Sequence, residues 1–372
     1  MHCTPELGVT VFWGKMSSAS VWKHAGMNRT IPGTTILVTG AGGSIGSALT
    51  KTIAGYAPRL LVLFDRSEHN LYQIETDLRM NRVSVQNASV LGDICNEELI
   101  SETLARYRPS TIYHAAAFKH VPLMEKNPIA AIQNNALGTN VLARAARKHR
   151  VKTTIMVSTD KAVSPRSIMG ASKRLAELAL VRWACKESRM ISIRLGNVYG
   201  TEGSVVKLFA QQIRAGGPVT VTHAEATRYF LELRKAVELI LVASDLPGDA
   251  NILIPYLGKP IKIFDLACRM IEEAGFVANK GIPIKFIGLR PGDKMTENLA
   301  SANESVRPTN DSRLSCVKSA EMHLDSFDAV MANLKTAVDG RDLFAILETL
   351  RSIVPEYEPS ESVLRFLEGA ST

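Results

Sequence analysis

From residue 34 to 195 the chain alternates short, continuously apolar runs with longer helical stretches. The runs 35–39, 60–64, 88–91, 111–114, 154–157 and 191–194 read as strands, and 44–54, 68–80, 129–149 and 169–186 as helices. Strands that are apolar throughout have to be covered on both faces. Strand–helix alternation then closes into a parallel sheet with helices on either side, which makes the fold class α/β and doubly wound.

After 196 the texture changes, with more glycine and proline and shorter segments. A helix at 236–243 and a strand at 251–255 return to the sheet, and 264–274 reads as a further helix. The expected organisation is a leader at 1–32, a dinucleotide-binding domain at 33–196 with return elements at 236–255, and a smaller substrate-binding lobe from 197–235 and 256–300. That lobe would cover the C-terminal edge of the sheet, where ligands bind in open α/β folds. The remainder, 301–372, is expected to be a helical tail, with helical patterns at 327–338 and 342–353. The leader shows no clear period, and Met16 and Met27 are alternative starts within it.

The bulk numbers exclude several classes. Net charge is +8, from 44 basic and 36 acidic residues, without a basic cluster, and aromatic content is 6%. A nucleic-acid binder should concentrate its charge, whereas an anionic small substrate or an anionic membrane surface fits the surplus equally well. The five cysteines lie far apart and form no C-x-x-C pair. Neither a disulfide framework nor a metal site is expected, and a reducing cytoplasm is the default. No apolar stretch reaches the length of about 18 residues that a membrane span requires. The apolar run 7–13 is short and lacks a preceding basic region, which argues against a signal peptide.

A glycine-rich turn joins the first strand to the first helix: Gly40-Ala41-Gly42-Gly43-Ser44-Ile45-Gly46. Gly40 permits a sharp turn, Gly43 lets backbone approach a pyrophosphate, and Gly46 lets helix pack on strand. The helix N-terminus at Ser44 and Ile45 offers N–H groups and partial positive charge to the anion. Strand, turn and helix in this order make the fold Rossmann-type. Asp65 ends the second strand, where a carboxylate accepts both ribose hydroxyls of NAD and repels a 2′-phosphate. Arg66 beside it argues the other way, and Asp65 also fits a turn or capping residue. NAD is the favoured cofactor. Asp93 and Ile94 follow the third strand and face the adenine; Asp93 fits equally as an N-cap for the helix from Asn96. Ala115, Ala116 and Ala117 close the fourth strand with side chains small enough for a cofactor to lie on backbone. Asn134 is a further cofactor candidate, unresolved, like Glu125, between helix surface and site.

Thr159, Asp160 and Lys161 follow an apolar strand whose C-terminal end should face the nicotinamide. They are either a solvated loop or a cluster of acid, base and hydroxyl. Lys173, twelve residues on, lies one turn inside a helix beginning near Met169. It is either a surface lysine or a ligand of the nicotinamide ribose. His120 would ordinarily invite a general-base role, but Asp160 and Lys161 are better placed. Lys119, His120 and Asn197 are assigned to the substrate side. Arg228 and Arg290 stand in irregular segments of the second lobe; such forks match diphosphate oxygens, although each alone also fits a salt bridge.

These stretches resemble the CapD-like polysaccharide-biosynthesis nucleotide-sugar 4,6-dehydratases of the extended short-chain dehydrogenase/reductase superfamily. The matching motifs are 38–47 (VTGAGGSIGS), 63–74 (LFDRSEHNLYQI), 114–125 (HAAAFKHVPLME), 157–177 (VSTDKAVSPRSIMGASKRLAE), 194–200 (RLGNVYG), 216–230 (GGPVTVTHAEATRYF), 289–294 (LRPGDK) and 354–357 (VPEY). The resemblance implies UDP-N-acetylglucosamine as substrate, a UDP-4-keto-6-deoxy-N-acetylhexosamine as product, and homo-oligomerisation. Most of the superfamily carries a tyrosine four residues before the lysine. Methionine there, as Met169 here, resembles the NAD-using branch that retains configuration at C5. Many relatives carry an N-terminal membrane segment, so this chain reads as a soluble catalytic portion. It departs from the family pattern at Phe118, where tyrosine is expected, at Lys207, where proline is expected, and at 295–298 (MTEN).

In the mechanism this resemblance implies, hydride leaves C4, neutral Lys161 removes the C5 proton, and protonated Asp160 delivers a proton to the departing C6 hydroxyl. Burial would have to lower the pKa of Lys161 and raise that of Asp160, against the mutual attraction of their charges. Met169 cannot accept the C4 hydroxyl proton, which leaves Thr159, Asp160 or a water relay. The alternatives are a nucleotide-sugar 4-epimerase and a non-catalytic dinucleotide sensor.

Overall fold

The computed structural model describes residues 30–80, 85–248, 251–319 and 326–369. The leader up to residue 29, with Met16 and Met27, lies outside the described residues. Six strands follow in chain order: β1 Thr35–Thr39, β2 Leu60–Asp65, β3 Asn87–Leu91, β4 Thr111–His114, β5 Thr153–Thr159 and β6 Arg189–Leu195. They lie in a nine-stranded sheet ordered β3-β2-β1-β4-β5-β6, continued by the strands Ile252–Pro255, Leu314–Ser319 and Glu304–Pro308. From β1 to β6, and on to Ile252–Pro255, neighbouring strands run parallel. The order reverses at β1, which pairs with both β2 and β4. Loops leaving β1 and β4 therefore diverge, and a cleft opens between them at the C-terminal edge.

Alternate residues of the central strands feed two separate cores, which is why those strands are apolar throughout. Ile36, Val38, Leu61 and Leu63 pack on one face against residues of the helices Ser44–Ala54 and Leu233–Asp245. Leu37, Val62, Phe64 and Ile112 pack on the other against Ile100, Leu104, Leu142 and Leu180. Each such fully buried side chain contributes roughly 1.5–3 kcal/mol. Residues of the second lobe, among them Phe209, Val221, Leu266 and Ile271, form an apolar cluster of their own. Among the described residues no helix is long and apolar enough to cross a membrane.

Two expectations of secondary structure change. The helix expected over 129–149 is interrupted: Pro128–Ala131 is α-helical, Ile132–Leu137 forms a π-helical turn, and Gly138–Lys148 resumes the α-helix. Asn135 in that turn donates to the Phe118 carbonyl and to Ser172 Oγ, and accepts from the Phe118 N–H at 2.8 Å. Helical hydrogen bonding gives way locally to hold the loop after β4 in place, a common use of π turns.

The tail is not wholly helical either. Glu304–Pro308 and Leu314–Ser319 add two antiparallel strands, covering the sheet edge that Ile252–Pro255 would otherwise leave unpaired. Helices then follow at Phe327–Asp339, Leu343–Ile353 and Glu361–Gly369. A buried ion cluster fastens the added strands: Arg194 of β6 bonds both Glu177 and Glu304. The Glu177 carboxyl is held at about 2, because Arg194 and Arg174 outweigh the burial that raises it.

Candidate functional site

The glycine turn leaves β1 at the reversal point. Gly40 has φ +65°, and a side chain there would lie 2.7 Å from the Ala116 backbone nitrogen. A Cβ on Gly46 would stand 1.8 Å from the Gly40 carbonyl, so only glycine lets the helix pack this closely. A Cβ on Gly43 would meet nothing but the Gly40 carbonyl, at 3.3 Å. The helix Ser44–Ala54 has no side-chain cap at its N-terminus, and its first N–H groups suit an anion there. Beside the turn lies a cavity of about 150 Å³. Gly40, Gly43, Asp65, Arg66, Ile94, Ala115, Ala116, Ala117 and Asn134 line it, together with Asn70, Gly92 and Phe118, which sequence reasoning did not assign to the cofactor.

Asp65 is nearly buried, and its two oxygens accept from the N–H groups of Gly42 and Ser67, each at 3.0 Å. The turn-residue reading thus describes its protein contacts, and those contacts orient the carboxylate at the cavity wall. Asp93 stands outside the lining. It accepts from the Cys95 N–H at 2.8 Å and lies 3.9 Å from Arg66. The N-cap of the helix Glu97–Tyr107 is Asn96, which accepts from the Leu99 N–H, so Asp93 does not fill that role. Arg66 places its guanidinium 4.3 Å over the Phe118 ring. Ser44 accepts from the Glu202 N–H at 3.0 Å, tying the glycine turn to the second lobe. Ile45 packs against the core on its side of the sheet.

At the end of β5 the chain enters a short 3-10 turn at Asp160–Ala162. Asp160 is fully buried. Its Oδ1 accepts from Lys161 Nζ at 2.8 Å and from the Thr159 hydroxyl at 3.0 Å, while its Oδ2 is buried without a hydrogen-bond partner among the described residues. Lys161 Nζ also donates to Asn197 Oδ1 at 3.2 Å and stands 4.0 Å from Glu297 Oε1. Burial pulls the Lys161 ammonium down, but the carboxylates of Asp160 and Glu297 outweigh it and hold its pKa above the ordinary lysine value. The expectation that burial would prevail is reversed, because two anions face one cation.

Lys173 has the opposite balance. The helix Ile168–Trp183 is capped by Ser167, whose hydroxyl accepts from the Gly170 N–H at 3.1 Å. It carries Lys173 into the interior, 4% exposed, where burial lowers the ammonium to about 8 and Glu177 only partly offsets this. His114, bonded through both ring nitrogens to Thr39 and Thr139, is driven by burial, and then by Lys173, to about 3, so it is neutral. Met169, on the same helix, packs in an apolar cluster with Val121, Met124 and Leu175.

The substrate-side residues divide. Asn197 joins the Asp160–Lys161 group. Lys119 and His120 are exposed, and burial lowers the Lys119 ammonium against the pull of Glu202. Arg228 is nearly buried, and its guanidinium donates to the carbonyls of Thr227, Lys294 and Met295. Arg290 pairs with Asp293 in its own loop at 2.8 Å. Arg228 is thus committed to backbone carbonyls, whereas Arg290 stays half exposed beside its aspartate. Glu125 is a clamp: its carboxylate accepts from the Ile168 N–H at 2.7 Å and from the hydroxyls of Ser360 and Ser362. Glu297, beside Lys161, was absent from the sequence-derived site; the only signal for it was an acid in i,i+3 register with Lys294.

Residues 36–319 match the family model described as polysaccharide biosynthesis protein. The chain is 42% identical over 283 residues to the capsular polysaccharide biosynthesis protein CapD of Staphylococcus aureus, covering 75% of this chain and 47% of that one. It thus spans about half the length of that relative. It is 32% identical over 281 residues to the UDP-glucose 4-epimerase of Rickettsia rickettsii, with 73% and 79% covered. Among solved structures, Pen from Bacillus thuringiensis superposes with a TM-score of 0.69 at 30% identity, covering 78% of this chain and 90% of that one. The dTDP-glucose 4,6-dehydratase DesIV of Streptomyces venezuelae, solved with NAD and TYD bound, superposes with a TM-score of 0.60 at 21% identity, covering 70% and 87%. At that identity the likeness concerns the fold.

Proposed function

The chain belongs to the polysaccharide biosynthesis protein family whose model its residues 36–319 match, and from that premise we propose that it dehydrates a UDP-sugar. The proposed substrate is UDP-N-acetylglucosamine and the product UDP-2-acetamido-2,6-dideoxy-hexos-4-ulose, formed with retention at C5 for surface polysaccharide or glycan synthesis. The observation that carries the reading is the Lys161–Asp160 contact of 2.8 Å at the end of β5. It joins a base and an acid in one hydrogen bond, and elimination of water across C5 and C6 needs both.

The glycine turn, Asp65 and the alanines after β4 fit a dinucleotide, and Lys173 is proposed for its ribose. NAD held there supplies hydride acceptance at C4 and hydride return at C6. Lys161 and Asp160 together hold one mobile proton as an ion pair. Passage of that proton along their hydrogen bond converts ammonium and carboxylate into the neutral amine and carboxylic acid that the elimination requires, with no change in net charge. Closure over a substrate, excluding water, favours this neutral form. Lys161 then takes the C5 proton, and Asp160 protonates the departing C6 hydroxyl. The buried, unpartnered Asp160 Oδ2 suits a substrate hydroxyl. The C4 hydroxyl proton leaves through Thr159 to water as the hydride departs, and after the elimination Asp160 takes a proton back by the same route, through the Thr159 hydroxyl that already donates to it. Lys161 returns its proton to C5 on the face it came from. In this scheme Thr159 stands in for the phenol that Met169 replaces.

A 4-epimerase is the second reading, favoured by the Rickettsia relative at 32% identity. Epimerisation at C4 requires no acid at C6, so it leaves Asp160 and Lys161 without work. Incubation with UDP-N-acetylglucosamine separates the readings by product mass. Loss of one water marks a dehydratase, an isomer of unchanged mass marks an epimerase, and no product from a chain that binds NAD marks a sensor.

A further inference from the structure

The segment 290–297 reaches Lys161 through Glu297, a residue with no part in the proposed reaction. Glu297 is 5% exposed. Among the described residues its carboxylate faces two ammonium groups, one on each oxygen: Lys161 Nζ lies 4.0 Å from Oε1, and Lys294 Nζ lies 3.3 Å from Oε2. Oε2 makes no hydrogen bond among the described residues. A buried carboxylate without hydrogen bonds is costly unless cations compensate it, so Glu297 is kept in place by its lysines. Lys294 in turn donates to the Val163 carbonyl at 2.6 Å, immediately after the turn that carries Asp160 and Lys161. Arg228 holds the same segment by donating to the carbonyls of Lys294 and Met295. A strap from the second lobe is thus fastened to the Lys161 turn, and it presents one anion to Lys161.

We propose that Glu297 is a positioning residue for Lys161: with Asp160 and Asn197 it fixes the amine on its flexible stem, and Lys294 moors Glu297 to the turn. Its part in catalysis rests on the dehydratase reading; its contact with Lys161 does not. Three oxygens around one ammonium restrict a side chain that otherwise samples many rotamers. The second anion also sets how tightly Lys161 holds its proton, because an opposite charge within about 4–6 Å favours the charged form.

The test is a pair of variants, Glu297→Gln and Glu297→Asp, in the full chain. The proton affinity of Lys161 is read directly by its rate of acetylation with a small anhydride against pH, followed by peptide mass spectrometry. In Glu297→Gln the labelling midpoint should move down by about one pH unit, on the scale of a lost neighbouring charge. Glu297→Asp keeps the charge one methylene farther off and should move the midpoint in the same direction by less. Should the glutamine variant fail to fold, the aspartate variant carries the test alone. Turnover of the glutamine variant should fall on the order of tenfold with KM within about twofold, since only proton transfer is affected. A Lys161 midpoint that stays at the wild-type value in every folded variant overturns the proposal. A wild-type chain that releases no water from the sugar overturns the dehydratase reading instead, and the labelling still reports on Glu297.

Discussion

Lys161 stands in the turn after β5 and Lys173 on the helix that follows, and the chain treats them in opposite ways. Lys161 lies in that short turn, a fifth exposed, between the carboxylates of Asp160 and Glu297. Lys173 lies within a helix, almost completely buried, with Glu177 already committed to Arg174 and Arg194. The first ammonium is held above its usual range and the second is brought down to about 8. Burial acts on both; the number of uncommitted anions nearby decides the sign. Lys161, the proposed base, keeps its proton partner Asp160 within a hydrogen bond. Lys173, proposed for a ribose hydroxyl, is left with a lowered ammonium that Glu177 only partly offsets.

The largest test of this contrast is catalytic. Lys161→Ala and Asp160→Asn should each lower turnover by about a hundredfold or more, the usual scale for loss of a general base or acid. Steady-state rates on UDP-N-acetylglucosamine check this, and wild-type turnover in both variants would remove the pair from the mechanism.

Stability should then separate the lysines by sign. Lys161→Met leaves Asp160 buried with only Thr159 to satisfy it, and should destabilise the chain by roughly 3 kcal/mol, the scale for one broken buried pair. Lys173→Met removes a cation whose burial is poorly compensated and should stabilise the ligand-free chain at neutral pH by about 2 kcal/mol, while weakening NAD binding. Denaturant unfolding of the two variants decides it; a shared sign would break the comparison.

The smallest effect is in pH. Burial lowers Lys173 from the ordinary 10.5 to about 8 in the folded chain. Across that window the unfolded chain holds more protons, so wild-type stability gains a contribution that rises with pH. Below about 8 the penalty is present in full. The slope between wild type and Lys173→Met, measured by unfolding at several pH values, should differ in that window alone.

What the sequence made legible follows from how local each signal is. The glycine turn, Asp65 and the alanines after β4 are each fixed by one strand end, and strand periodicity places strand ends well. The cavity gathers nearly all of them. The Asp160–Lys161 pair was legible for the same reason. The state of Lys161 was not, because it depends on Glu297, more than a hundred residues away in sequence. The partners of Arg228 and Arg290, backbone carbonyls and a loop aspartate, carry no sequence pattern that separates a diphosphate fork from a structural one. The strands Glu304–Pro308 and Leu314–Ser319, within the tail expected to be helical, are not legible because their pairing depends on the open edge of Ile252–Pro255.

The central claim is that the Asp160–Lys161 pair carries out elimination after C4 oxidation. It is tested most directly by mixing the wild-type chain and Lys161→Ala, each with bound NAD, with UDP-N-acetylglucosamine in heavy water and following nicotinamide absorbance, product mass and the C5 proton together. The account predicts a dehydrated product of unchanged C5 configuration from the wild type. From Lys161→Ala it predicts reduced nicotinamide that builds up without loss of water. Dehydrated product from Lys161→Ala at the wild-type rate would contradict it.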